Sequence, residues 1–210
     1  MSWRDALQGA DLKAGIRLGL ATAMAIAPAV GQAEWQPVEK ISTYAITGSS
    51  GIDLYRSIGK HGPVAGGNVR AIAHTDFKLT WTRKYQPQPD RSCVLTLAKP
   101  KLIITYRLPK PSNALPSPLA ASWEAFVAGV HAHERIHGTF IKEMVQEIEK
   151  VSVGLSAPDD TKCQKIRADL QARLATISQR QRQRGRDFDQ VELSEGGNIH
   201  QLVLKLVNGQ

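Results

Sequence analysis

From Ser117 to about Lys150 nothing in the chain stops a helix except Gly129 and Gly138. Four prolines within residues 108–118 end whatever precedes it. Ser117-Pro118 then supplies a serine that can cap a helix and a proline whose fixed φ suits its first turn. Trp123, Val127, Val130, Glu134, His137, Ile141, Met144 and Ile148 recur at steps of three and four. Residues so spaced share one stripe of a helix surface. A single helix over 118–150 is therefore predicted, and the rest of the chain has to cover its apolar side.

Most of what precedes the prolines reads as strand. Residues 38–47 are rich in β-branched and aromatic side chains and end at a Gly-Ser-Ser-Gly turn, while residues 52–60 suit a short helix. Val69, Ala71, Ala73, Thr75, Phe77, Leu79 and Trp81 alternate with mostly polar residues, the pattern of a half-buried strand. Residues 93–97 and 102–106 read as further strands around Lys99-Pro100-Lys101. A second amphipathic helix is predicted over about 161–183, carried by Ile166, Leu170, Leu174 and Ile177. In the tail, 185–210, a polar stretch precedes a short apolar strand candidate at 202–207. The expected fold is α+β: a small antiparallel meander sheet packed on the long helix and the second amphipathic helix.

Residues 1–33 have the form of a signal peptide. Arg4, Lys13 and Arg17 precede an apolar stretch at 18–30, and Gly31-Gln32-Ala33 offers small residues before a cut. Glu34 would begin the mature chain, leaving 34–210 as one domain, periplasmic or secreted. Export places Cys93 and Cys163, the two cysteines of the chain, where a bridge is expected. No apolar run reaches the roughly 20 residues that span a bilayer, so no transmembrane span is expected after cleavage. The full chain carries a net charge of +8. Without residues 1–33 it retains 24 basic and 17 acidic residues, a field that favours anionic surroundings.

His133-Glu134-Arg135-Ile136-His137 is an HExxH motif. With 6 His among 210 residues it would arise by chance about 0.007 times in a chain of this composition. On a helix His133 and His137 project from one side, about 6 Å apart at Cβ, which suits two imidazoles on one Zn²⁺. Glu134 stands where a general base would take the proton of a water that the cation activates. A catalytic zinc needs a third protein ligand. His131 points elsewhere on the helix, and Glu143, Glu147 and Glu149 lie too far along it. The third ligand is expected from another element, with Glu192, Glu195, His74 and His200 as candidates.

The order of motifs around HERIH resembles the bacterial family called domain of unknown function 922, described as predicted secreted zinc-dependent proteases. The resemblance runs from about residue 44 to 189. It is carried by Tyr44-Ala45-Ile46-Thr47-Gly48, Leu54, Gly62-Pro63, Trp81, Cys93, Leu108-Pro109, Trp123, Phe126 and Cys163. It implies zinc on His133 and His137, Glu134 as catalytic residue, and a Cys93–Cys163 disulfide. The family also carries a Tyr-Asp-x-x-Thr-x-His-Gly stretch. Here Phe188-Asp189 fits its start but no histidine follows; the ungapped position is Ser194, and one insertion brings Glu195-Gly196 there. Glu195 is accordingly the expected substitute, since two His and one Glu form a catalytic zinc set.

The function expected is a zinc metallopeptidase acting on a peptide or protein substrate. A cell-wall peptide or amide hydrolase would use the same chemistry. A third reading is a non-catalytic envelope protein whose Arg180, Arg182, Arg184 and Arg186 bind an anionic cell-surface polymer; alternatively that run is a solvated helix end. Nucleic acid is a poor partner for an exported chain without a recognition motif.

Overall fold

The computed structural model describes residues 35–65 and 69–209, so the signal segment 1–33 lies outside the described residues. Eight elements follow in the order β1 (Val38–Ile46), α1 (Gly51–His61), β2 (His74–Pro87), β3 (Cys93–Pro111), α2 (Ser117–Ser152), β4 (Ser156–Ala157), α3 (Gln164–Leu193) and α4 (Asn198–Asn208). The α+β class holds. Among the described residues no helix is long and apolar enough to cross a membrane.

The long helix α2 forms as its pattern demands. Trp123, Val130, Glu134, Ile141, Met144 and Ile148 of the expected stripe are all buried. Ser117 is its first residue rather than its cap, and no side chain caps this end. At the two glycines that interrupt the sequence, other elements come close. A Cβ on Gly138 would lie 2.2 Å from the Tyr106 hydroxyl, and one on Gly129 would lie 2.4 Å from Leu202 Cδ1. Each glycine thus admits a partner that alanine would displace.

The sheet is mixed, not the antiparallel meander expected. Its order is β1-β3-β2: β2 and β3 form an antiparallel hairpin, but β1 runs parallel to β3, from Val38 opposite Ile103 to Ile46 opposite Pro111. The reason is connectivity. α1 carries the chain from β1 past one strand position before β2 begins, and β3 returns into the gap. β4 adds two residues to the start of β3.

β3 is one strand of 19 residues, where the sequence around Pro100 suggests two. Proline lacks the N–H a ladder needs and survives where one edge is free. Pro100 pairs with Trp81 of β2, but β1 joins only at Ile103 and β4 ends at Val94, so the other side of Pro100 has no neighbour. Pro109 and Pro111 follow the same rule, since β2 pairing stops at Arg107.

α3 runs antiparallel to α2: Glu147 pairs with Arg180 at 2.8 Å and Glu143 with Arg184. It reaches Leu193, ten residues beyond the predicted end, passing through Gly185. Its start is capped by Asp160, whose carboxylate accepts from the N–H of Gln164 at 2.7 Å and of Ile166 at 2.9 Å. The tail forms helix α4, not a strand. A short apolar run has no decisive period, and here Ile199, Leu202, Val203 and Leu206 turn one helical face onto α1 and α2.

Three apolar clusters form the core, the first two of them on α2 and the third beyond its C-terminal end. The first joins α1, α4 and the start of α2 around Leu54, Phe126 and Leu206. The second packs Leu102, Ile104 and Tyr106 against Ile141, Val145 and Ile148. The third surrounds the Cys93–Cys163 disulfide with Leu95, Ile166 and Leu170. Closing a loop of 70 residues removes denatured-chain entropy worth about 4 kcal/mol.

Candidate metal centre

His133 and His137 lie on the side of α2 that faces α3, one turn apart. Their Nε2 atoms are 3.2 Å from each other. Asp189, near the end of α3, brings Oδ1 to 3.2 Å from His133 Nε2 and 2.8 Å from His137 Nε2. Two imidazole nitrogens and one carboxylate oxygen thus form a nearly equilateral triangle. Ligands at 2.0–2.1 Å around a tetrahedral zinc stand about 3.3 Å apart. Among the described residues this is the group that could hold a metal ion.

The surroundings fit that use. His133 is 8% exposed, and Phe188 stacks on its ring at 4.7 Å. Among the described residues its Nδ1 has no hydrogen-bond partner; Glu192 Oε2 lies 3.6 Å away, a charge partner rather than a hydrogen bond. A carboxylate on that side favours the tautomer that leaves Nε2 free to bind a cation. Without a cation, three groups rich in lone pairs converge, and a proton must balance them. For His137, burial pushes the pKa down, but the hydrogen bond and charge of Asp189 and the charge of Glu134 leave it raised. For Asp189, burial pushes up, but hydrogen bonds from His133 and His137 hold it well below the usual carboxylate range.

Glu134 is 6% exposed. The hydroxyl of Thr75 donates to its Oε2 at 2.5 Å and lies 3.1 Å from its backbone carbonyl. Strand β2 therefore holds the carboxylate that α2 presents. His133, Glu134, His137 and Asp189 all line a cleft of about 870 Å³ bounded by β2, α2 and α3.

The structure brings together His133, Glu134 and His137, and leaves the named third-ligand candidates outside the triangle. Glu195 is exposed in the turn between α3 and α4. Glu192 stands behind His133, held by the Asn198 side-chain amide at 3.2 Å. His74 pairs with Asp76 at 3.3 Å on the cleft wall, and His200 accepts from the Gly196 N–H. His131 meets the edge of the Tyr106 ring. Sequence periodicity ends α3 at about 183 and leaves position 189 in a loop of no fixed direction, so Asp189 is not among the sequence candidates. Its signal was present in Phe188-Asp189, the pair that matches the family stretch.

An α+β domain with a helix-borne pair of histidines, completed by a carboxylate from the antiparallel neighbouring helix, is the class of protein defined here. The chain belongs to the family described as bacterial protein of unknown function (DUF922), which matches residues 41–197. No curated protein and no solved structure matches it.

Proposed function

We propose that this chain is an exported zinc-dependent metallopeptidase, periplasmic or secreted. The observation that carries the reading is the triangle of His133, His137 and Asp189 beside the buried Glu134, opening on one cleft. When bound there, Zn²⁺ would act as a Lewis acid that activates water and polarises a carbonyl. Glu134 takes the proton of the attacking water and passes it to the leaving amine. Thr75 keeps its carboxylate aimed. Among the described residues the outer edge of β2 has no neighbouring strand in the sheet order β1-β3-β2, and its first residues line the cleft. An extended peptide can add to such an edge through main-chain hydrogen bonds. The signal-like segment and the Cys93–Cys163 bridge support export.

The test is metal analysis with hydrolysis. Purified protein should hold about one equivalent of zinc, and His133→Ala/His137→Ala should hold none. Glu134→Gln should keep the ion and lose hydrolysis. Wild-type protein that takes up no ion would end the reading. Cleavage of cell-wall peptides or amides in place of protein substrates would keep the chemistry and move the substrate. A non-catalytic protein on an anionic polymer draws on the arginines of α3, but Arg180 and Arg184 are engaged with Glu147 and Glu143.

A further inference from the structure

The run Arg180, Arg182, Arg184, Arg186 divides in two on α3. A step of two on a helix turns about 200°, so alternate arginines face opposite ways while residues four apart share a face. Arg180 and Arg184 pair with Glu147 and Glu143 of α2. Arg182 and Arg186 instead line the cleft that holds the candidate metal centre. Both are exposed, and among the described residues neither has a carboxylate partner. Arg186 is one turn before Asp189 and Arg182 one turn before that. Their positions lie about 5 and 11 Å along the axis from the third ligand.

The opposite wall adds a third cation. Arg70 donates to the Gly62 carbonyl at 2.6 Å, and a carbonyl does not neutralise its charge. Each carboxylate of the cleft makes its contact away from these arginines, Glu134 with Thr75, Asp189 with the two histidines and Asp76 with His74, and keeps its charge as Arg70 does. Between the arginines the rim carries exposed apolar side chains, Val69 at 69% and Leu193 at 54%. The lining thus holds three arginines and three carboxylates, the arginines apart from the carboxylates, and a divalent cation in the triangle would tip it to net positive.

Resting on the peptidase reading, we infer that this cleft selects acidic peptides. Arg182 and Arg186, with Arg70 opposite, take Asp or Glu side chains within about three residues of the scissile bond, the reach set by 3.3 Å per residue of extended chain. They determine specificity and touch no reacting atom.

The test is anisotropy with fluorescent peptides of equal length, acidic, neutral and basic, on the full mature chain carrying Glu134→Gln. Arg182→Gln/Arg186→Gln is compared with Arg180→Gln/Arg184→Gln, which removes the same net charge from the other face. The acidic peptide should bind at least ten-fold tighter than the neutral one. The 182/186 pair should abolish most of that gain, and the 180/184 pair should leave it. Equal loss in both double variants would reduce the effect to net charge and overturn the inference. So would an anionic glycan that outcompetes the acidic peptide through the same arginines. Cleavage by wild-type protein separates the two readings. Neutral and basic peptides cut as fast as acidic ones overturn the selectivity alone. Arginine-dependent acidic-peptide binding with no cleavage of any peptide overturns the peptidase and leaves the selectivity.

Discussion

Asp189 and Thr75 carry the largest consequences among single residues. On the proposed metallopeptidase reading, Asp189→Ala removes one of three converging donors and should abolish zinc retention under dialysis, while Glu195→Ala should leave it; elemental analysis of both decides the third ligand. Thr75→Val preserves shape and removes the hydroxyl that holds Glu134. Groups that orient catalytic residues typically contribute 10–100-fold. Turnover should fall by about that factor, with zinc content and KM unchanged. A merely structural role for Thr75 would instead lower thermal stability and zinc content together. Of this site the sequence disclosed the part within one helical turn. His133, Glu134 and His137 are fixed relative to each other by helix geometry alone. Thr75 is 59 positions away and Asp189 is 52 from His137, so only tertiary packing brings them there.

Among the elements, α3 is anchored at its start by Asp160 and α2 is held against β3 at Gly138. Asp160 lies close to the first turn of α3. Burial pushes its carboxyl up, but the N–H donors of Ile166, Lys165 and Gln164 leave it lowered. Its unfolded value is about 4. With the folded value below that, its contribution is complete above about pH 4 and is lost as pH falls through the folded value. Asp160→Asn should therefore lower the melting temperature at pH 7 and shrink the difference from wild type as the buffer is acidified. A constant difference from pH 7 to pH 2 would contradict this. On α2, Gly138→Ala forces a methyl against the buried Tyr106 ring, whose hydroxyl is itself held by Glu39 at 2.7 Å. Overpacking of this kind costs about 1–3 kcal/mol, readable as a shift in denaturant midpoint. The element types of α1, α2, α3 and the β2–β3 hairpin follow from periodicity and breakers. The C-terminal segment did not, because Leu202 to Val207 fits either period until α1 and α2 supply a surface for one helical face.

Across the whole molecule, the disulfide lies by the C-terminal end of α2 and the cleft opens on its middle turns. Cys163 packs beside the last turns of that helix, and His133 lies about 28 Å back along its axis from Ser152. Replacing both cysteines with serine should cost about 4 kcal/mol and lower the melting temperature by about 10 °C. Below that temperature the variant should still bind zinc with wild-type affinity. Loss of the ion in a folded Cys93→Ser/Cys163→Ser protein would show the two ends to be coupled.

Local pattern along the chain is enough to specify the α+β class, the long helix, the HExxH face and the pairing available to two cysteines. Each of these depends on neighbours within a few residues or on a choice with one outcome. Tertiary structure alone decided that β1 runs parallel to β3, that α3 continues past Gly185, that Asp189 and not Glu195 completes the triangle, and which arginines enter the cleft. Those outcomes depend on how far one element slides along another before its apolar side is covered, and no local pattern encodes that distance.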